Sequence, residues 1–141
     1  MVLSKNEVRK LEAKIAALEK LTSAEIKVII SDRSWFGIRT KAKSLFRKFN
    51  LDRTKERNAV LFLVLVKDRQ ILIYGDTGIH QRVETDGWEL ICTEVLQKFK
   101  QDEYLEGIAL GIHLIADSLI QHFPSSQENA NEVSNEIIFD N

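Results

Sequence analysis

Between residues 5 and 21 apolar side chains recur at intervals of three and four: Val8, Leu11, Ile15, Leu18 and Leu21, with Lys and Glu between them. That spacing lays one apolar stripe along a helix. Ser4 followed by Glu7 is a capping box, so the helix starts near Lys5. The stripe has coiled-coil spacing but covers too few heptads for one, and it predicts a helix packed on a core. Thr22-Ser23 breaks it, and residues 24–31 (AEIKVIIS) read as a strand rich in β-branched residues. Residues 32–37 form a loop. A second helix is predicted over 38–49, with Leu45, Phe46 and Phe49 inward and Lys41, Lys43, Arg47 and Lys48 outward.

After the polar stretch 50–57 comes the apolar run 58–66 (NAVLFLVLV), which does not alternate. A strand covered on both faces has that pattern. Lys67-Asp68-Arg69 is a turn, and Gln70–Gly75 a second strand, so the two form a hairpin. Residues 76–85 are irregular, with a short helical turn expected at 79–83. Asp86 caps a third helix to Lys100, with Trp88, Ile91, Val95, Leu96 and Phe99 on its apolar side. A fourth helix covers 104–123 and stops at Pro124. Gly107 and Gly111 on it leave a smooth patch for a close neighbour. Residues 125–141 contain four acids and no Lys or Arg, and are expected to form an acidic, flexible tail. Ile137-Ile138-Phe139 is the one stretch in it able to add an edge strand.

The order helix, strand, helix, strand, strand, helix, helix contains one β-α-β crossover, which is right-handed and makes the first two strands parallel. The hairpin makes the third strand antiparallel to the second. The fold class is therefore α/β, a mixed sheet with helices on both faces, in a single domain of residues 1–124 followed by the tail.

Composition changes this picture little. With 141 residues, 44% hydrophobic and 29% charged, the chain is an ordinary one-domain length and mix. A net charge of -1 supplies no positive field for nucleic acid. Cys92 is the only cysteine, which excludes an intrachain disulfide and a thiolate metal cluster. Lys5, Glu7, Arg9 and Lys10 interrupt any signal-peptide core, and the longest apolar run is far short of the ~20 residues that span a bilayer. No membrane span and a cytoplasmic location are the expectation.

Strand direction decides which polar residues meet. Parallel pairing puts the starts of the first two strands at one edge, and the hairpin returns the end of the third strand there. Thr22, Ser23, Glu25, Arg57, Asn58, Asp76, Thr77 and Gly78 gather at that edge, joined by Asn50, Asp52, Arg53 and Thr54 from the end of the second helix. Asp76, Glu25 and Asp52 offer oxygen ligands from separate segments, as Ca²⁺ and Mg²⁺ require. Arg57 supplies a fork for a carboxylate or phosphate. The plainer alternative stays open: Asp76 caps the turn after its strand, and Arg57 pairs with Glu25 or Glu56. His80, His113 and His122 are far apart, and no nucleophile elbow or phosphate loop is present. The Asp-Thr-Gly of an aspartic protease occurs once, in a chain without the β-rich character such a site needs. The basic stretch 39–57 reads as the solvated face of a helix.

Residues 21–26 (LTSAEI), 54–61 (TKERNAVL) and 74–80 (YGDTGIH), with Trp88, Tyr104-Leu105-Glu106-Gly107 and His122-Phe123-Pro124, resemble the TPM domain family over residues 4–124. Ala59 stands where that family usually has Gly. The resemblance implies a three-layer αβα sandwich, Rossmann-like, with the shared polar residues at one edge, where some members bind divalent cations. Weak acid-phosphatase activity is attributed to plant thylakoid members tied to photosystem II repair. Many relatives carry a signal peptide and a membrane anchor, neither of which is read here, so their lumenal or periplasmic roles are not expected to carry over.

Three functions follow as expectations. The first is a calcium- or magnesium-binding domain with Asp76 as central ligand, Glu25 and Asp52 as helpers, and Arg57, Asn58 and Thr77 at the site's rim. The second is a weak metal-assisted acid phosphatase, in which Arg57 steadies developing phosphoryl charge. The third is a module that binds a protein partner without metal.

Overall fold

A computed structural model of the chain describes residues 3–80, 86–125 and 132–140. Helix α1 is Lys5–Glu19, opened by the expected capping box: Glu7 N donates to Ser4 Oγ at 3.1 Å and Ser4 N to Glu7 Oε1 at 2.9 Å. It ends before Leu21, which is exposed. Strand β1 is Glu25–Ser31, helix α2 Ile38–Lys48, and a 3₁₀ turn spans Leu51–Arg53. The hairpin strands are β2, Ala59–Leu65, and β3, Gln70–Gly75. Then come the short helix α3, Thr77–His80, the long helices α4, Asp86–Lys100, and α5, Tyr104–His122, and a last strand β4, Ile138–Asp140.

The sheet runs β3-β2-β1-β4. β1 and β2 are parallel from Glu25 opposite Ala59 to Ser31 opposite Leu65. β2 and β3 are antiparallel with Val60 opposite Gly75. Every residue of β1 and β2 is buried, which explains the unbroken apolar run of β2. Ile26, Val28, Ile30, Val60, Phe62 and Val64 face α1, α4 and α5, while Ile29, Leu61, Leu63 and Leu65 face α2 and the 3₁₀ turn. The chain is thus the three-layer αβα sandwich with a mixed sheet that its sequence implies. α5 comes close because Gly111 has no side chain: a Cβ there would sit 2.5 Å from the Phe62 ring.

Two expectations change. The helical turn after β3 begins at Thr77, with Asp76 O accepting from Ile79 N and His80 N. The expected continuation to Val83 lies outside the described residues. The flexible tail is corrected for residues 132–140, which dock along the sheet and add β4 parallel to β1, Ile29 opposite Ile138. Val133 and Ile137 are buried there. Lys27 Nζ donates to Ser134 O and Glu136 O at 3.1 and 2.6 Å, and Glu12 Oε2 accepts from Ile137 N at 2.8 Å. Asp140 bridges to Lys41 and Lys48. Of the tail's described acids, which suggested a loose chain, Asp140 is paired with the basic helix α2, Glu132 Oε2 accepts from Lys55 N, and Glu136 lies in the field of the inward Lys27.

Candidate functional site

The polar edge forms where β1 and β2 begin and β3 ends. Arg57 and Asp76 meet there because the hairpin register sets Val60 against Gly75, leaving Asp76 just past the strand. Asp76 N still donates to Ala59 O at 3.0 Å, which fixes its backbone. Arg57 stands in the left-handed region at φ 53°, rare for a side chain of that size. This turn lets Arg57 O accept from Gly78 N at 2.9 Å. Its guanidinium reaches back bidentately, Nε to Asp76 Oδ2 at 2.6 Å and Nη2 to Oδ1 at 2.8 Å.

Thr77 N adds a third donor, to Asp76 Oδ1 at 2.8 Å. The Asp76 carboxylate is buried, whereas Arg57 is half exposed at its outer side. The Asp76 hydrogen bonds and charge hold the Arg57 proton more tightly than usual, with a smaller contribution from Asp52. Arg57 therefore pairs with Asp76 rather than with Glu25 or Glu56.

Asp52 lies in the 3₁₀ turn, placed there because Asn50, at φ 57°, ends α2 sharply. Its Oδ1 is buried without a hydrogen-bond partner. Asn58 is similar: its Nδ2 donates to Ser23 O at 2.8 Å, its N donates to Thr54 Oγ1, and its Oδ1 is buried and unpartnered. A buried acceptor without a donor costs about 1–3 kcal/mol, so two at one edge call for a physical reason.

Glu25, the third predicted ligand, is spent elsewhere. Its Oε1 accepts from Glu132 N at 2.8 Å, and its carboxyl hydrogen-bonds that of Glu19. Glu19 Oε2 in turn accepts from Ile26 N at 2.6 Å. Burial pushes Glu19 up to about 8 and Glu25 to about 7, so the pair shares a proton near neutral pH. Among the described residues no three His, Cys, Asp or Glu side chains gather into a metal cluster. The sequence-predicted set thus divides: Asp76, Arg57 and Thr77 form one unit, Asp52 and Asn58 flank it with unpartnered oxygens, and Glu25 joins Glu19 beneath the docked tail. That second cluster was missed. Its signal was Glu25 and Lys27 two apart in an otherwise apolar strand, charges on one covered face that must find partners.

A family profile described as TPM domain matches residues 1–118. No curated protein matches the chain. Among solved structures, the BA42 protein of the psychrophilic bacterium Bizionia argentinensis is 31% identical, with a TM-score of 0.91 over 99% of this chain and 97% of that one. The N-terminal domain of a P. gingivalis protein is 15% identical with a TM-score of 0.74, over 89% of this chain and 83% of that one. The N-terminal domain of cg2496 from Corynebacterium glutamicum is 18% identical with a TM-score of 0.59, over 91% and 78%. The last two are likenesses of fold alone.

Proposed function

This chain belongs to the TPM domain family, and from that premise we propose that its Asp76 edge is a weak site for a divalent cation, Ca²⁺ or Mg²⁺. One observation carries the reading: the buried, unpartnered Asp52 Oδ1 beside the Arg57–Asp76 pair. Asn58 Oδ1 is a second oxygen of the same kind. Hard cations take carboxylate and amide oxygens, and these two lack any other ligand. Asp76 and Asp52 would hold the ion, with Asn58 as the neutral donor and Thr77 N keeping the Asp76 carboxylate oriented. Glu25 drops out of the ligand set.

Two carboxylates and a competing guanidinium make for low affinity, of the ~10⁻⁴–10⁻³ M class. Titrating Ca²⁺ or Mg²⁺ while following backbone amides by NMR tests this. Shifts should concentrate at Asp52, Asn58, Asp76 and Thr77, and vanish in Asp76→Asn. Unmoved amides at millimolar cation would overturn the reading.

The phosphatase alternative rests on one further feature. A cation that takes Asp76 would release the half-exposed Arg57 guanidinium, the group suited to phosphoryl oxygens. As long as its Nε and Nη2 are held by Asp76, binding is better supported than catalysis. Cation-dependent hydrolysis of an aryl phosphate, lost in Arg57→Ala, would favour the enzyme.

A further inference from the structure

At the opposite end of the sheet, the loop after β1 carries Trp35 and Phe36, which are 82% and 85% exposed. Two adjacent aromatic side chains left almost wholly in water are unusual in a folded domain. Arg33 lies over the Trp35 ring at 5.5 Å. Gly37 follows with nothing within 4 Å of its Cβ position, so the pair stands on a convex tip and not in a groove.

Helix α2 starts directly after this tip, and its sequence IRTKAKSLFRK holds five cations and no acid. Arg39, Lys43 and Arg47 are exposed and spaced by four, which sets them in one row along about two turns. Lys41 and Lys48 lie on the other flank, bound to Asp140. Among the described residues no acid bridges Arg33 or the row. The nearby acids are occupied: Asp32 bridges Lys67, and Asp68 Oδ2 accepts from Ser34 N. Glu89 of α4 lines the same groove as Arg39 without bridging it.

We propose that this tip and row form a surface for an anionic lipid bilayer, with Trp35 and Phe36 entering the headgroup boundary and Arg33, Arg39, Lys43 and Arg47 facing the lipid phosphates and carboxylates. No described helix is long and apolar enough to cross a membrane, so the contact is peripheral. Convexity favours lipid over protein: a wedge needs a shaped pocket on a protein partner, whereas a bilayer interface accepts Trp and Phe anywhere. Charge favours an anionic leaflet, which attracts Lys and Arg within a Debye length. Nucleic acid is disfavoured because the chain's net charge is -1 and the aromatics are neighbours at a loop tip, with no stacking platform along a strand face.

The experiment is flotation of the full chain with vesicles of phosphatidylcholine alone and of phosphatidylcholine mixed with phosphatidylserine. Binding is expected only to the mixed vesicles, with a blue shift in tryptophan emission that arises from Trp35, since Trp88 is already buried. Removing the row in Arg39→Ala/Lys43→Ala/Arg47→Ala should weaken binding by roughly a hundredfold, at about tenfold or less per cation. Trp35→Ala/Phe36→Ala should abolish the residual binding. All five side chains are exposed, so an unchanged thermal midpoint checks that the variants fold. The proposal is overturned by absence of binding to the mixed vesicles, by equal binding to both kinds, or by variants that bind like the wild type. Displacement from the mixed vesicles by a single-stranded oligonucleotide would likewise overturn it, in favour of nucleic acid.

Discussion

Arg57 reaches Asp76 with two parallel hydrogen bonds, at 2.6 and 2.8 Å, although one residue precedes β2, the other follows β3, and only Asp76 is buried. The pair closes the mouth of the β2–β3 hairpin and occupies both oxygens of the carboxylate best placed to bind a cation. On the proposed reading a divalent ion would compete with the Arg57 guanidinium for one ligand. Arg57→Ala should tighten Ca²⁺ binding by roughly tenfold while lowering the thermal midpoint in the absence of the ion. Asp76→Asn should lower that midpoint too, but abolish binding. Calcium titration by calorimetry or NMR separates them, and weaker binding in Arg57→Ala would sink the competition model.

Asp52→Asn tests the orphaned oxygen from the other side. The amide keeps size and an acceptor but removes the charge, so cation affinity should fall by about tenfold or more. Stability in the absence of the ion should stay within about 0.5 kcal/mol or rise, since the buried Oδ1 without a donor then belongs to a neutral group. A loss of stability instead would mean that the Asp52 charge is valued by Arg57 for structure alone.

Truncation after Pro124 should lower the thermal midpoint by roughly 10 °C. Val133 and Ile137 would lose their burial, at about 1.5–3 kcal/mol each as an upper bound, and a domain of this size shifts by ~3–5 °C per kcal/mol. Lys27, buried in the docked state, would also lose the Ser134 and Glu136 carbonyls it bonds. A midpoint within a degree or two would show that the docked strand adds nothing.

These cases show what a sequence of this kind exposes. The core strands were legible because an unbroken run such as 58–66 has few other uses, and the turn at 67–69 set the hairpin. The edge where Asp76, Arg57, Asn58 and Asp52 gather followed from strand direction. The partner of Arg57 did not, since it depends on a left-handed φ that an arginine seldom adopts. Nor did the docking of the tail. Ile137-Ile138-Phe139 marked a stretch able to add an edge strand, but Val133 is a lone apolar residue among polar ones, and Lys27 binds backbone carbonyls, which have no signature in composition.

The Glu19–Glu25 pair makes stability fall with rising pH. Both carboxyls have folded pKa values, about 8 and 7, above the ordinary 4.5. The unfolded chain releases these protons from about pH 4.5, the folded chain only near 7–8, so their contribution is whole below 4.5 and lost as pH climbs through 8. The thermal midpoint should drop by several degrees between pH 5 and 8. Glu19→Gln should flatten much of that slope, and amide exchange at Glu132 should speed up at the alkaline end, where Glu25 loses its proton-sharing partner. A midpoint that rises over this range would contradict the assignment.

A matched pair of glycine substitutions tests how tightly the candidate site is built. Gly78 packs against the backbone: a Cβ there would lie 2.7 Å from Arg57 O and collide with Glu56 O. Backbone atoms cannot step aside as a flexible side chain would, so α3 must shift, and the 2.9 Å bond from Gly78 N to Arg57 O must stretch. That bond anchors the turn from which Arg57 reaches Asp76. Gly78→Ala should cost about 1–3 kcal/mol, the usual range for forced overpacking, and should alter the cation response because the guanidinium is displaced. Gly87, in the first turn of α4, meets nothing within 4 Å. Gly87→Ala should therefore be neutral or stabilise by up to about 1 kcal/mol through helix propensity, leaving the cation response unchanged. Thermal melts with and without Ca²⁺ on both variants make the comparison, and equal effects from the two would show that the backbone contact at Gly78 does not shape the site.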